Sequence, residues 1–121
     1  MDKLSAEELL DFIDESISIV LQRFGVIGSP DDFLESPAGM EKLDSIILRI
    51  QTIGEALKNI DKHYAGLLEK SAPAIYWSNI IKMRDLISHH YLDLDAEVIF
   101  DICDEKLEEL QQHIRDLKGV V

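Results

Sequence analysis

Met40-Glu41-Lys42-Leu43-Asp44-Ser45-Ile46-Ile47-Leu48-Arg49-Ile50-Gln51-Thr52-Ile53-Gly54-Glu55-Ala56-Leu57-Lys58-Asn59-Ile60 is the stretch on which the fold turns. Met40, Leu43, Ile46, Ile47, Ile50, Ile53, Leu57 and Ile60 recur at intervals of three and four. That is the spacing of one face of an α-helix. The spacing predicts a helix from about Pro37 or Gly39 to about Ile60, and a helix with so long an apolar stripe needs other elements to cover it. Gly54 interrupts the run. A glycine inside a helix costs about 1 kcal/mol against alanine. Close approach of another backbone, from the next helix or a second subunit, is one explanation of it, and a merely tolerated glycine is the other.

Working outward, the same period appears on both sides. Ser5 and Glu8 form a capping-box pattern ahead of Leu9, Leu10, Ile13, Ile17, Val20, Leu21 and Phe24. Gly25 is expected to end that helix in the left-handed conformation. Ser29-Pro30-Asp31-Asp32 reads as a cap, a first-turn proline and acidic residues suited to a short helical turn before Ser36-Pro37. After the central helix, Ala65-Gly66-Leu67-Leu68 fits a short helix. A third long helix is expected from about Ala74 to Tyr91, carrying Ile75, Trp77, Ile80, Ile81, Leu86 and Ile87. Asp95 then suits the N-cap of a fourth, from about Ala96 to Leu117, with Val98, Ile99, Ile102, Leu107, Leu110, Ile114 and Leu117 as its stripe. No stretch alternates as a strand does. The expected fold class is all-α, an antiparallel four-helix bundle with an additional short helix or helices. The length, 121 residues, suits one domain over 1–121.

Twenty-four acidic residues against twelve basic ones give a net charge of −12. Such a surface repels phosphate backbones at long range, which counts against broad non-specific nucleic-acid binding but leaves room for a small local basic site and suits a basic partner. The single cysteine, Cys103, rules out an intrachain disulfide and reads as a small buried hydrophobe. The acidic start, Met1 to Glu8, lacks a signal-peptide apolar stretch, and no run approaches the roughly 18 apolar residues of a membrane span. The expected location is cytoplasmic, with no membrane association.

One segment carries chemistry out of proportion to its length: Arg84-Asp85-Leu86-Ile87-Ser88-His89-His90-Tyr91, preceded by Lys82. Two of the four histidines of the chain sit here beside an arginine and a tyrosine. On an unbroken helix Arg84, Ser88 and Tyr91 share a face. His89 lies about 140° around from Arg84, so the two work together only if the helix unwinds or a second subunit completes the site. A helix C-terminus favours imidazolium, which suits a histidine to general acid or base work, and the arginine guanidinium matches phosphate geometry. Histidine and arginine together suffice for RNA cleavage without a metal, because the ribose 2′-hydroxyl is the nucleophile. The same cluster is also what a solvated helix end looks like, with Asp85 pairing with Lys82 and the ring of Tyr91 packed away.

Arg84, four residues, then His89-His90-Tyr91 resembles the Arg-x4-His-x-Tyr motif of HEPN domains, and the surrounding sequence resembles the HepT-like branch, toxins of bacterial and archaeal HepT–MntA systems. Ile53-Gly54-Glu55-Ala56 is similar to a segment of the second long helix in these proteins, and Ile75-Tyr76-Trp77 to their entry into the motif helix. The resemblance covers about residues 5–117. It implies a homodimeric helical bundle and a metal-independent endoribonuclease acting on RNA, with tRNA the expected substrate. It implies no cofactor and no metal ligand. Arg84 would neutralise the scissile phosphate and His89 would be the acid or base. A minimal nucleotidyltransferase antitoxin, MntA-like, would silence the toxin by adding AMP to Tyr91. Two positions depart from the commonest family pattern: Asp85 stands where Asn is frequent, and His90 where Gly is. Asp85, Ser88 and His90 are therefore secondary candidates for catalysis or substrate binding.

Two other readings compete. A non-catalytic nucleotide- or substrate-binding partner of the nucleotidyltransferase would use the same domain, and the acidic charge favours it. A carboxylate-bridged metal bundle needs Glu-x-x-His pairs, whereas Glu109 and His113 are four apart and His63 is isolated. His63 and His113 are expected at the surface.

Overall fold

The computed structural model describes residues 5–87 and 92–121, and within them every regular element is helical. Five α-helices follow one another: α1 Ala6–Phe24, α2 Pro37–His63, α3 Ala74–Lys82, α4 Leu92–Glu105 and α5 Leu107–Lys118. Short 3₁₀ turns at Pro30–Phe33, Leu68–Lys70 and Met83–Leu86 join them. The expected all-α bundle is what forms, with α4 and α5 together in the place of the fourth helix.

The two long helices start where their caps predict. Ser5 Oγ accepts from the Glu8 N–H at 3.0 Å, and Ser36 Oγ accepts from the Gly39 N–H at 3.0 Å with Pro37 in the first turn. Gly25 ends α1 in the right-handed region (φ −57°), against expectation; the left-handed glycine is Gly66 (φ +84°), where the chain turns after α2. The apolar stripes meet in one core: Leu10, Ile13 and Ile17 of α1, Leu43, Ile46, Ile50, Leu57 and Ile60 of α2, and Ile99, Leu107, Leu110 and Ile114 of the last two helices are all buried. Burying each such side chain contributes about 1.5–3 kcal/mol. Cys103 is buried among them, as expected, and burial pushes its thiol up to about 12.

The fourth helix differs from the expectation at both ends of its first half. Its α4 portion begins at Leu92 rather than Ala96, so Asp95 is a buried first-turn residue and not the cap of the helix. At Lys106 the backbone leaves ideal helix (φ −118°) while hydrogen bonds persist across it, Lys106 N–H to Ile102 O and Leu110 N–H to Lys106 O. The buried stripe runs through this kink uninterrupted, which is why one continuous helix was the natural reading.

Helices α1 and α5 run antiparallel, joined by polar contacts at successive turns. The Gln111 amide donates to Asp14 Oδ1 (2.9 Å) and Ser18 Oγ (2.7 Å), and Lys118 Nζ donates to Asp14 Oδ2 (2.9 Å) and pairs with Asp11 (3.0 Å). Under α2, a Cβ on Gly39 would come within 2.2 Å of the Asp32 carbonyl oxygen, so this glycine lets the Pro30–Phe33 turn sit directly on the helix.

Candidate functional site

The site follows directly on α3, which is held by the turn before it and by α5. The Trp77 indole N–H donates to the Leu68 carbonyl at 2.7 Å in a buried contact, tying α3 to the turn before it. His113 of α5 is half-buried, not a surface residue: its ring lies 4.8 Å from that of Tyr76 and 5.9 Å from that of Trp77, and its Nδ1 shares a 2.6 Å hydrogen bond with Ser71 Oγ. His63, by contrast, is exposed as expected. The Tyr76 hydroxyl is buried without a hydrogen-bond partner among the described residues, and burial, with the charge of Glu109, pushes its pKa up to about 12. The buried Trp77 hydrogen bond and the packing of Tyr76 and Trp77 on His113 together anchor this end of the helix.

The α-helix stops at Lys82, well short of the expected Tyr91. A 3₁₀ turn carries Met83, Arg84, Asp85 and Leu86, and Ile87 is extended (ψ 119°), its N–H donating to Arg84 O at 3.2 Å. Met83 and Ile87 are buried, while Leu86 is 59% exposed. The sequence that follows is poor in helix formers (Asp85, Ser88, His89, His90), so seating Ile87 in the core outweighs continuing the helix. The single face shared by Arg84, Ser88 and Tyr91 presupposed a helix through residue 91 and lapses with it. The α-helix has therefore ended before Arg84. Ser88, His89, His90 and Tyr91 themselves lie outside the described residues.

Arg84 is placed by α2. A Cβ on Gly54 would lie 3.4 Å from Arg84 Cδ and 3.8 Å from the Ile81 carbonyl oxygen. Both are ordinary contact distances, so no close backbone approach demands a glycine here, and the arginine stem lies over it. The guanidinium Nη1 then donates to Glu55 Oε1. Asp85 is 73% exposed, and its carboxylate stands 4.0 Å from Arg84 Nε, at the limit of an ion pair. Glu55, itself 64% exposed, is the residue that sequence reasoning missed. It lay inside the quoted Ile53-Gly54-Glu55-Ala56 segment, but its partner is 29 residues away and emerges only from the packing of α3 on α2.

Chemically, this gives an oriented cation in an exchangeable pair. An exposed ion pair is worth about 0–1 kcal/mol, so a phosphate oxygen can replace Glu55 at little cost. Among the described residues, no three His, Cys, Asp or Glu side chains converge as a metal-binding cluster. No described helix is long and apolar enough to cross a membrane.

Comparison with known proteins adds a second line of observation. The sequence pattern of the family described as ribonuclease HepT-like matches residues 9–117. A probable ribonuclease HepT from Thermococcus cleftensis is 28% identical over 116 residues, 96% of this chain and 98% of that protein. A candidate RNase from Methanocaldococcus jannaschii is 28% identical over 93 residues, 74% of this chain and 71% of its own length. Another, from Caldanaerobacter subterraneus, is 25% identical over 108 residues, 89% of each. No solved structure matches the chain.

Proposed function

This chain belongs to the HepT-like ribonuclease family, and from that premise we propose that it is a metal-independent endoribonuclease, the toxin of a pair whose second member is an MntA-like minimal nucleotidyltransferase. The observation that carries this reading is Arg84, presented on a tight turn immediately before the Ser88–Tyr91 segment and held by an exchangeable carboxylate. Arg84 takes up the scissile phosphate and neutralises the charge that grows on its oxygens. The 2′-hydroxyl of the RNA attacks phosphorus as the bond to the 5′-oxygen breaks. His89 removes the hydroxyl proton or delivers one to the departing 5′-oxygen. The protein acts in the cytoplasm as a homodimer whose two motif segments face a common cleft, and tRNA is the substrate. Asp85, Ser88 and His90 act around these two residues, in substrate binding or proton transfer. AMP added to Tyr91 by the antitoxin places a bulky anion in the cleft, where it repels RNA and contests Arg84.

Expression of this chain alone is expected to arrest bacterial growth, with relief by Arg84→Ala or His89→Ala. Co-expression with the nucleotidyltransferase should also restore growth and leave AMP on the Tyr91 peptide, read by mass spectrometry, whereas Tyr91→Phe should escape neutralisation. Wild-type expression without effect on growth or RNA would count against the toxin. The net charge of −12 favours one other reading, a non-catalytic nucleotide-binding partner of the same enzyme, for which purified protein would bind nucleotide and leave RNA whole.

A further inference from the structure

A groove of about 390 Å³ lies between α2 and α3, and the chemistry proposed above does not use it. Its volume falls within the range of roughly 300–1,000 Å³ typical of small-ligand clefts. Trp77 and Ile81 supply its apolar lining, and Trp77, 2% exposed and hydrogen-bonded to Leu68, makes that wall rigid. Lys58 of α2 and Lys82 at the end of α3 face it from opposite sides, both exposed and neither in an ion pair among the described residues. Asp61 and Glu69 belong to its other end, with Ala74 at the start of α3.

The groove adjoins Arg84. The arginine stem lies over Gly54, and Lys58 follows Gly54 by four residues, one turn further along the same side of α2. Ile81, whose carbonyl also approaches Gly54, lines the groove. Lys58 and Lys82 thus bring two cations without an ion pair among the described residues to a cleft beside Arg84, whose lining also carries Asp61 and Glu69, in a chain whose acids outnumber its bases two to one. Lysine is a good point-charge ligand for phosphate, and an apolar wall accepts the face of any base.

We propose that this groove is a subsite for single-stranded RNA, holding the nucleotide next to the scissile phosphate. The flanking phosphate sits between Lys58 and Lys82, the base lies against Ile81, which the buried Trp77 backs, and Asp61 and Glu69 accept hydrogen bonds from ribose hydroxyls or base amino groups. The proposal rests on the ribonuclease reading and extends it to substrate positioning: Lys58 and Lys82 are binding residues that raise affinity without touching the bond that breaks.

The test measures binding and cleavage separately. Binding uses a 2′-O-methyl RNA oligonucleotide, which cannot be cut, over a salt series; cleavage uses the unmodified RNA. Each lysine that neutralises a single-strand phosphate contributes about 0.7 to the slope of log affinity against log salt, so Lys58→Ala/Lys82→Ala should lower the slope by about 1.4. It should raise KM about tenfold or more while kcat stays within about twofold, the pattern of lost uniform binding. Lys58→Arg/Lys82→Arg should behave as wild type. Lys42→Ala/Lys106→Ala makes the same change in net charge away from the groove and should leave the slope intact. Equal losses in the groove and control variants, or no loss in either, overturn the subsite. Cleavage by wild type with Lys58→Ala/Lys82→Ala unaffected sinks the subsite alone. Wild type that binds with the predicted lysine dependence but never cuts sinks the ribonuclease reading alone. Wild type that neither binds nor cuts sinks both.

Discussion

Two of the grooves on this molecule, about 400 Å³ between α1 and α5 and about 390 Å³ between α2 and α3, handle charge in opposite ways. In the first, Asp14 gathers Lys118, Gln111 and Arg115, the last at 3.3 Å, and every cation lining the groove has a carboxylate. In the second, Lys58 and Lys82 have no ion pair among the described residues, and Arg84, one turn away, holds an exposed glutamate. A closed network fastens two helices. An open one leaves cations for an incoming anion. The contrast can be broken by substitutions on each side.

The largest effect is expected at Arg84. Arg84→Ala should lower RNA cleavage by at least about 100-fold, or roughly 2.7 kcal/mol of transition-state stabilisation, while stability falls by only about 1 kcal/mol, from the stem packed over Gly54 and a partly exposed ion pair. Equal activity in wild type and variant would remove the arginine from the site. On the scaffold side, Gly39→Ala forces a methyl group into the Asp32 carbonyl and should cost about 2–3 kcal/mol in denaturant unfolding. A neutral result there would mean that the Pro30–Phe33 turn is free to lift from α2.

Next comes Asp14. Asp14→Ala removes an acceptor used by Lys118, Gln111 and Arg115 and should cost about 2 kcal/mol, with cleavage unchanged. Its effect depends on pH. Burial alone would raise the Asp14 pKa, but hydrogen bonds from Lys118 and Gln111 and the charges of Lys118 and Arg115 outweigh burial and hold it below 3.8. The partner Lys118 is raised above 10.5, chiefly by its hydrogen bonds to Asp14 and Asp11. A carboxylate with a depressed pKa stabilises above its unfolded value and loses that contribution as pH falls through the folded one; a lysine with a raised pKa does so below its unfolded value and loses it as pH rises. The gap between wild type and Asp14→Ala should therefore be flat near neutrality and narrow at both extremes. A gap independent of pH from acid to alkali would mean that the network does not hold the helices together.

The smallest effect belongs to Gly54. An added methyl would meet Arg84 Cδ at 3.4 Å, an ordinary contact, so Gly54→Ala should gain up to about 1 kcal/mol and keep most of the cleavage activity. A sharp loss of activity with gained stability would show that the arginine needs the gap. The two glycines of α2 thus make the same comparison in miniature: backbone fixes one, and only a side chain crosses the other.

Most of the scaffold was legible in the chain because its signals are local. Caps at Ser5 and Ser36 and the stripes of α1 and α2 depend on residues within a few positions of one another. What escaped depends on packing. Ile80, Met83 and Ile87 keep a helical rhythm, so nothing in their spacing announces that the α-helix ends at Lys82. The stripe through Cys103, Leu107 and Leu110 hides the kink at Lys106 for the same reason. His113 looks like a surface histidine until Tyr76 and Trp77 are folded against it, and Glu55 acquires a role only once Arg84 lies over Gly54. Of the candidate site, Arg84 and Asp85 were found in the chain and are placed in the structure, whereas Ser88, His89, His90 and Tyr91 rest on the family motif.

The central claim is that Arg84 and His89 cleave RNA without a metal. Purified protein incubated with total tRNA in the presence of a chelator tests it directly, with wild type beside His89→Ala. The account predicts discrete tRNA fragments from wild type and none from the variant. Intact tRNA from wild type, or equal cleavage by both, would contradict it.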